Sequence, residues 1–178
     1  MAILFIVFGI GLAANAGPNE SAKSAALRLL LSEVQPGTMA SQQYCMLVFA
    51  DRHFHAEKAT RKMGKDRERR VYEGQLSEAD WNALGGILDR KDFRELKVPP
   101  TLAPPVVENS HPYTISVARE KGFQNMEFLT NNSRKPYESQ LQPLLQWWKS
   151  VRSARMPESP VSPDSRCSLD KTNGIFSN

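Results

Sequence analysis

Hydrophobic and polar positions alternate with a period of two along several stretches of this chain, the pattern of strands with one buried face. Residues 113–119 alternate most regularly, and residues 123–130 return after a Glu120-Lys121-Gly122 turn. Residues 44–50 are apolar on both parities, which predicts a central strand buried on both faces. The predicted strands are residues 44–50, 53–60, 69–74, 113–119 and 123–130.

Two other stretches repeat apolar residues at helical spacing. The first opens at Ser77, whose hydroxyl is placed to accept from the Asp80 N–H while the Asp80 carboxylate accepts from the Ser77 N–H, as in a capping box. The second begins near Tyr137 and continues to Val151. Pro143 interrupts this stripe, so it either kinks the helix or begins it as the first helical residue.

These elements predict an α+β fold, with an antiparallel sheet of about five strands and two main helices packed on one face. Aromatic residues stand ten positions apart in both hairpins, at Tyr44 and Phe54 and again at Tyr113 and Phe123. A duplicated ββα unit is one interpretation of this match, and chance is the other. Residues 26–34 fit either a strand or one face of a helix.

The first 17 residues form an apolar run that closes on Ala14-Asn15-Ala16, the pattern of a secretory signal peptide cleaved after Ala16. We therefore expect a secreted or periplasmic protein with no membrane span after cleavage, because no other apolar stretch approaches 20 residues. The expected organisation is a signal peptide at 1–16, a leader and first apolar element at 17–38, the α+β domain at 39–155, and a disordered Ser/Pro-rich tail at 156–178.

The chain has two cysteines, Cys45 and Cys167. An exported protein meets oxidising conditions, so one intramolecular bridge is an open alternative. The favoured interpretation is a buried free Cys45, because Cys167 lies in a polar tail and free cysteine packs as a small hydrophobe.

Charge is distributed unevenly in a chain whose formal net charge is +4. The segment 58–70 has a net charge of +5. Its seven bases are Lys58, Arg61, Lys62, Lys65, Arg67, Arg69 and Arg70. Such a cluster attracts anionic polymers. The alternative is a solvated hairpin whose bases keep a sheet edge from aggregating.

A second candidate site is a strand face on which Asp51, His53, His55 and Glu57 share one parity. His53 and His55 could hold zinc or copper, with His111 as a third nitrogen ligand. The alternative is the hydrated face of a hairpin. No motif for a catalytic nucleophile or a nucleotide-binding glycine loop occurs, so no catalytic residue and no cofactor are predicted.

The packing positions of residues 40–152 also resemble those of other proteins. They are the strand 44–50, the run 71–77, the spaced Trp81, Leu84, Leu88, Phe93 and Leu96, and the strand 113–117. In these positions the chain resembles small exported bacterial proteins of an uncharacterised family, a domain of unknown function. The resemblance implies a compact α+β domain behind a signal peptide, and it assigns no catalytic residues.

The hypothesis favoured by the sequence is a monomeric, non-enzymatic binding protein that contacts an unknown protein or an anionic envelope polymer through its basic hairpin. No specific nucleic-acid motif is present. The alternative is a small secreted hydrolase or metal-dependent enzyme that uses the His53 and His55 face.

Overall fold

In the computed structural model, the described residues are 26–100, 111–154, 156–161 and 167, and their strands form one antiparallel sheet. The strands are β1 (Leu27–Gln35), β2 (Ala40–Phe49), β3 (His53–Lys62), β4 (Glu68–Gln75), β5 (Tyr113–Arg119), β6 (Gly122–Phe128) and β7 (Glu158–Ser159). Their order across the sheet is β6-β5-β1-β2-β3-β4-β7. The predicted α+β class is confirmed, with seven strands in the described residues rather than about five.

The ambiguous segment at 26–34 is the strand β1, which lies between β2 and β5. Leu29 and Leu31 are fully buried beneath the helices, while Leu30 is fully buried on the opposite face. Burial on both faces explains why the consecutive Leu29, Leu30 and Leu31 gave no clear strand period. The domain boundary expected at residue 39 is therefore wrong, because the sheet includes β1.

Helices cover one face of the sheet. They are α1 (Glu78–Leu88), α2 (Lys91–Arg94), α3 (Asn131–Arg134) and α4 (Glu138–Ser153), and a 3₁₀ turn at Lys135–Tyr137 leads into α4. Ser77 caps α1 as predicted, accepting from the Asp80 N–H at 3.1 Å. The Asp80 carboxylate accepts from the Ser77 hydroxyl rather than from its N–H. Pro143 lies inside α4, six residues after Tyr137, so it does not begin the helix.

The main core lies between this helical layer and the sheet. Leu84 of α1, Leu144 of α4 and Phe93 of α2 are all fully buried in it. Trp147 joins the two long helices, because its Nε1–H donates to the Asp80 carbonyl at 3.0 Å.

A smaller apolar cluster covers the other face, where Leu47 and Phe49 of β2 pack with the Cys45–Cys167 disulfide. The prediction of a free Cys45 is therefore wrong. The tail is also not disordered throughout, because β7 pairs with β4 and Cys167 is buried. Apolar side chains on the outer face of β2 need cover, and Cys167 supplies part of it.

The matched aromatic residues of the two hairpins do not occupy equivalent positions. Phe54 is 4% exposed, whereas Phe123 is 42% exposed at the edge strand β6. The match therefore gives no support to a duplicated unit.

The predicted signal peptide lies outside the described residues, and no helix within them has the length and apolar character needed to cross a bilayer.

Candidate functional site

Three bases of the predicted anion-binding segment converge on one cleft at the end of the β2–β3–β4 sheet. Arg61, Lys65 and Arg67 line it with the polar side chains of Ser41 and Gln43. The cleft has a volume of about 370 Å³ and lies on the face opposite the helices. Strand alternation places Arg61 on this face together with Ala59, and the β2–β3 register sets Ser41 directly opposite Arg61.

The cleft carries an excess of positive charge on exposed side chains. Arg61 and Lys65 form no ion pair with any other described residue, and Asp66 is the one acidic side chain in the lining. Arg67 donates to Gln43 at 2.8 Å, which holds its guanidinium beside the cleft. Three cations, an amide and a hydroxyl thus face the same space, a set of groups suited to an anion.

The other four bases of the segment are dispersed. Lys58 lies on the helix-covered face, because it shares the parity of Phe54 and Ala56. Lys62 lies at the hairpin tip. Arg69 and Arg70 are engaged by carboxylates, Arg69 by Glu57 at 2.7 Å and Arg70 by Glu68 at 2.9 Å. The structure therefore brings three of the seven predicted bases into one cleft and places the other four outside it.

The histidine face contains a buried chain of charged groups rather than an open site. The two ring nitrogens of His55 each lie 2.9 Å from a carboxylate oxygen, Nε2 from Glu57 and Nδ1 from Glu73. The second Glu57 oxygen accepts from Arg69 Nε at 2.7 Å. The side chains of His55 and Glu57 are 5% and 2% exposed, so the contact between them lies out of water, whereas the Glu73 carboxylate is 48% exposed.

These contacts change the ionisation of the buried groups. Burial disfavours the charged imidazole, but hydrogen bonds and charges from Glu57 and Glu73 outweigh it, so the pKa of His55 is raised. Burial likewise disfavours the Glu57 carboxylate, but hydrogen bonds from His55 and Arg69 outweigh it and the pKa of Glu57 is lowered. Buried His55 and Glu57 are therefore held as an ion pair, with the imidazole positive and the carboxylate negative.

The arrangement separates the residues of the predicted metal site. His55 has both ring nitrogens against carboxylates, and His53 stacks on Phe49 with ring centroids 5.7 Å apart. His111 binds Glu33 on the helix-covered face, so it lies across the sheet from His55. Among residues 26–100, 111–154, 156–161 and 167, no three His, Cys, Asp or Glu side chains are grouped to hold a metal ion.

A buried carboxylate that the sequence reading missed organises the helix-covered face. Glu33 of β1 accepts from Arg152 Nη1 at 2.5 Å and from His111 Nε2 at 2.9 Å. The Tyr113 hydroxyl and the Gln35 amide also donate to it. Burial disfavours its ionised form, but these donors outweigh burial and the pKa of Glu33 is lowered. The available signal was a single acid inside the apolar run of β1.

The opposite pKa shifts predict maximal stability in mildly acidic solution, between about pH 4.5 and 6.5. The raised pKa of His55 stabilises the fold fully below about pH 6.5, and this contribution is lost as the pH rises through the raised value. The lowered pKa values of Glu33 and Glu57 stabilise it above about pH 4.5 and are lost as the pH falls through them. Urea unfolding across a pH series measures both limbs.

Two variants test whether His55 causes the loss of stability on the alkaline side of this profile. His55→Gln should flatten the decline above about pH 6.5, because it removes the titrating imidazole. His53→Gln is the matched control on the same strand face and should retain the decline, since it leaves the contacts of His55 with Glu57 and Glu73 in place. A wild-type profile that stays level on the alkaline side would contradict the ionised state assigned to the His55 chain.

Comparisons of the chain with protein-family models, with curated proteins and with solved structures find no match. The resemblance to small exported bacterial proteins therefore stays a prediction.

Proposed function

We propose that this protein is a secreted or periplasmic, non-enzymatic binding protein that holds an anionic polymer of the cell envelope in its basic cleft. The convergence of Arg61, Lys65 and Arg67 on one exposed cleft is the observation that carries the proposal. Carboxylate, phosphate or sulfate groups on the polymer would pair with these cations. Ser41 and Gln43 add neutral hydrogen-bonding groups beside them.

The cleft suits a repeating anion better than a single buried ligand. Its bases are exposed and belong to neighbouring positions of a strand end and a turn, so they present charge along a surface. Exposed ionic contacts are individually weak, at about 1 kcal/mol or less each, and they are screened by salt. Useful affinity therefore requires several contacts at once, which a polymer with regularly spaced charges provides.

The Cys45–Cys167 disulfide supports the localisation in this proposal. Protein disulfides form and persist in oxidising compartments and are rare where thiols are kept reduced. The two half-cystines are 122 positions apart and close the main domain onto its C-terminal segment. A chain exported behind the predicted signal peptide would form this bridge after export.

Heparin, a sulfated polymer, is the probe that tests the cleft. The triple variant Arg61→Gln, Lys65→Gln, Arg67→Gln should bind heparin about a hundredfold more weakly than the wild type at low salt, since about three ionic contacts are lost. Titration calorimetry at two salt concentrations measures both the affinity and its salt dependence. We expect the salt dependence to fall together with the affinity.

The matched control removes the same charge elsewhere on the surface. Lys121, Lys135 and Lys149 are exposed and lie outside the cleft, so their replacement by glutamine should leave most of the heparin affinity intact. Equal losses in the two triple variants would mean that net charge, and not the cleft, determines binding. That result, or a wild type that does not bind heparin, would refute the proposal.

A further inference from the structure

A second cavity lies on the helix-covered face, between the last turn of α4 and the strands β2, β3 and β4. It has a volume of about 430 Å³, within the range of small-molecule sites. Its apolar lining is formed by Tyr44, Met46, Ala56, Tyr72, Trp148 and Met156. Met46 and Ala56 are buried at the level of the sheet, and the aromatic rings stand around them.

Two cations share the cavity with these rings. The Arg152 guanidinium lies 4.4 Å from the Tyr44 ring centroid and 5.1 Å from that of Trp148. Glu33 accepts from Arg152 at 2.5 Å, so the charge of this guanidinium is already balanced. Arg152 thus holds the Tyr44 and Trp148 rings in place, because its own position is fixed by the buried Glu33 carboxylate.

Lys58 is the cation whose charge is not balanced. Its ammonium lies 5.4 Å from the Tyr44 ring centroid, and Lys58 forms no ion pair with any other described residue. The side chain is half-buried, so water only partly solvates the charge. An anion placed in the cavity would pair with this ammonium in a medium of lower dielectric constant than water, where the attraction is stronger than at the surface.

We propose that this cavity binds a small amphipathic anion, with its apolar or aromatic body against Tyr44, Tyr72 and Trp148 and its anionic group on Lys58. One unbalanced cation matches a ligand with a single negative charge. The cavity volume is sufficient for a body of two fused rings or an aliphatic group of similar size. This site is distinct from the basic cleft, because the two lie on opposite faces of the sheet.

A pair of probes that differ only in charge tests the proposal. 2-Naphthoate carries a carboxylate on two fused rings, and 2-naphthalenemethanol carries a neutral hydroxymethyl group on the same rings. Titration calorimetry should show saturable 1:1 binding of 2-naphthoate to the wild type. Lys58→Met should weaken naphthoate binding about tenfold, the loss of one charge-assisted contact. It should leave the binding of naphthalenemethanol unchanged, since methionine keeps the length and apolar character of the side chain.

The control variant is Lys62→Met, which removes the same charge from the same strand but outside the cavity. It should bind both probes as the wild type does. Ala56→Leu should weaken the binding of both, because the larger side chain projects into the cavity from the sheet, and circular dichroism verifies that this variant is folded. Absence of saturable naphthoate binding, or equal losses for the two probes in Lys58→Met, would overturn the proposal.

The test separates this site from the proposed polymer cleft. The triple variant Arg61→Gln, Lys65→Gln, Arg67→Gln should bind 2-naphthoate like the wild type. Lys58→Met should in turn retain heparin binding. A naphthoate affinity that falls only in the cleft variant would place the anion in the cleft and refute the cavity site.

Discussion

Replacing Cys167 with serine should lower the free energy of unfolding by about 4 kcal/mol, because the bridge to Cys45 closes a loop of more than a hundred residues. Without it the unfolded chain gains the entropy of an open loop. The change also leaves Cys45 and the apolar cluster of Leu47 and Phe49 without their covalent link to the C-terminal segment. Urea unfolding monitored by tryptophan fluorescence measures the difference.

Reduction provides the internal control for this experiment. Wild-type protein treated with dithiothreitol should unfold at the same urea concentration as Cys167→Ser, whereas the variant should not respond to the reductant. The double variant Cys45→Ser, Cys167→Ser should resemble the single variant apart from the small cost of burying a second hydroxyl. Equal stability of oxidised and reduced wild type would contradict a structural role for the bridge.

Replacing Glu33 with alanine should lower the free energy of unfolding by about 3 kcal/mol, the lower end of the range for breaking a buried ion pair. The carboxylate side chain is 3% exposed, and its loss leaves Arg152, Tyr113 and His111 without their shared acceptor. Arg152 is 25% exposed and can recover part of its hydration, which places the cost near that lower end. Urea unfolding at neutral pH measures the effect.

Two further variants show whether charge and burial are responsible. Glu33→Gln keeps the size of the side chain and one acceptor oxygen, so its loss of stability should be smaller than that of Glu33→Ala. Glu120→Ala removes an exposed carboxylate in the β5–β6 turn and should change the stability by less than about 0.5 kcal/mol. Equal losses of stability at positions 33 and 120 would contradict the role of Glu33 as a shared buried acceptor.

The elements that were predicted correctly are those whose signals are local. The Ser77 cap depends on contacts within four residues, and the helix after it follows from the spacing of its own apolar positions. The β5–β6 hairpin likewise follows from alternation around a short turn. Such signals require no knowledge of what packs against the element.

The missed features depend on distant partners. β1 alternates poorly because the helical layer buries one of its faces and the smaller apolar cluster buries the other. β7 is only two residues long and exists through its pairing with β4. Trp147 joins α4 to α1 through its hydrogen bond to Asp80, while the adjacent Trp148 lines the cavity. The helix period alone does not determine which neighbour each face meets.

The sequence by itself determined the α+β class, the positions of the two long helices and the strong charge of the segment 58–70, because composition and periodicity are properties of the chain. Only the tertiary structure decided which of those bases act together. Strand alternation places Arg61 on the face of the exposed cleft and Lys58 on the face of the aromatic cavity. It also decided that Cys45 meets Cys167, since pairing depends on distance in space and not on separation along the chain.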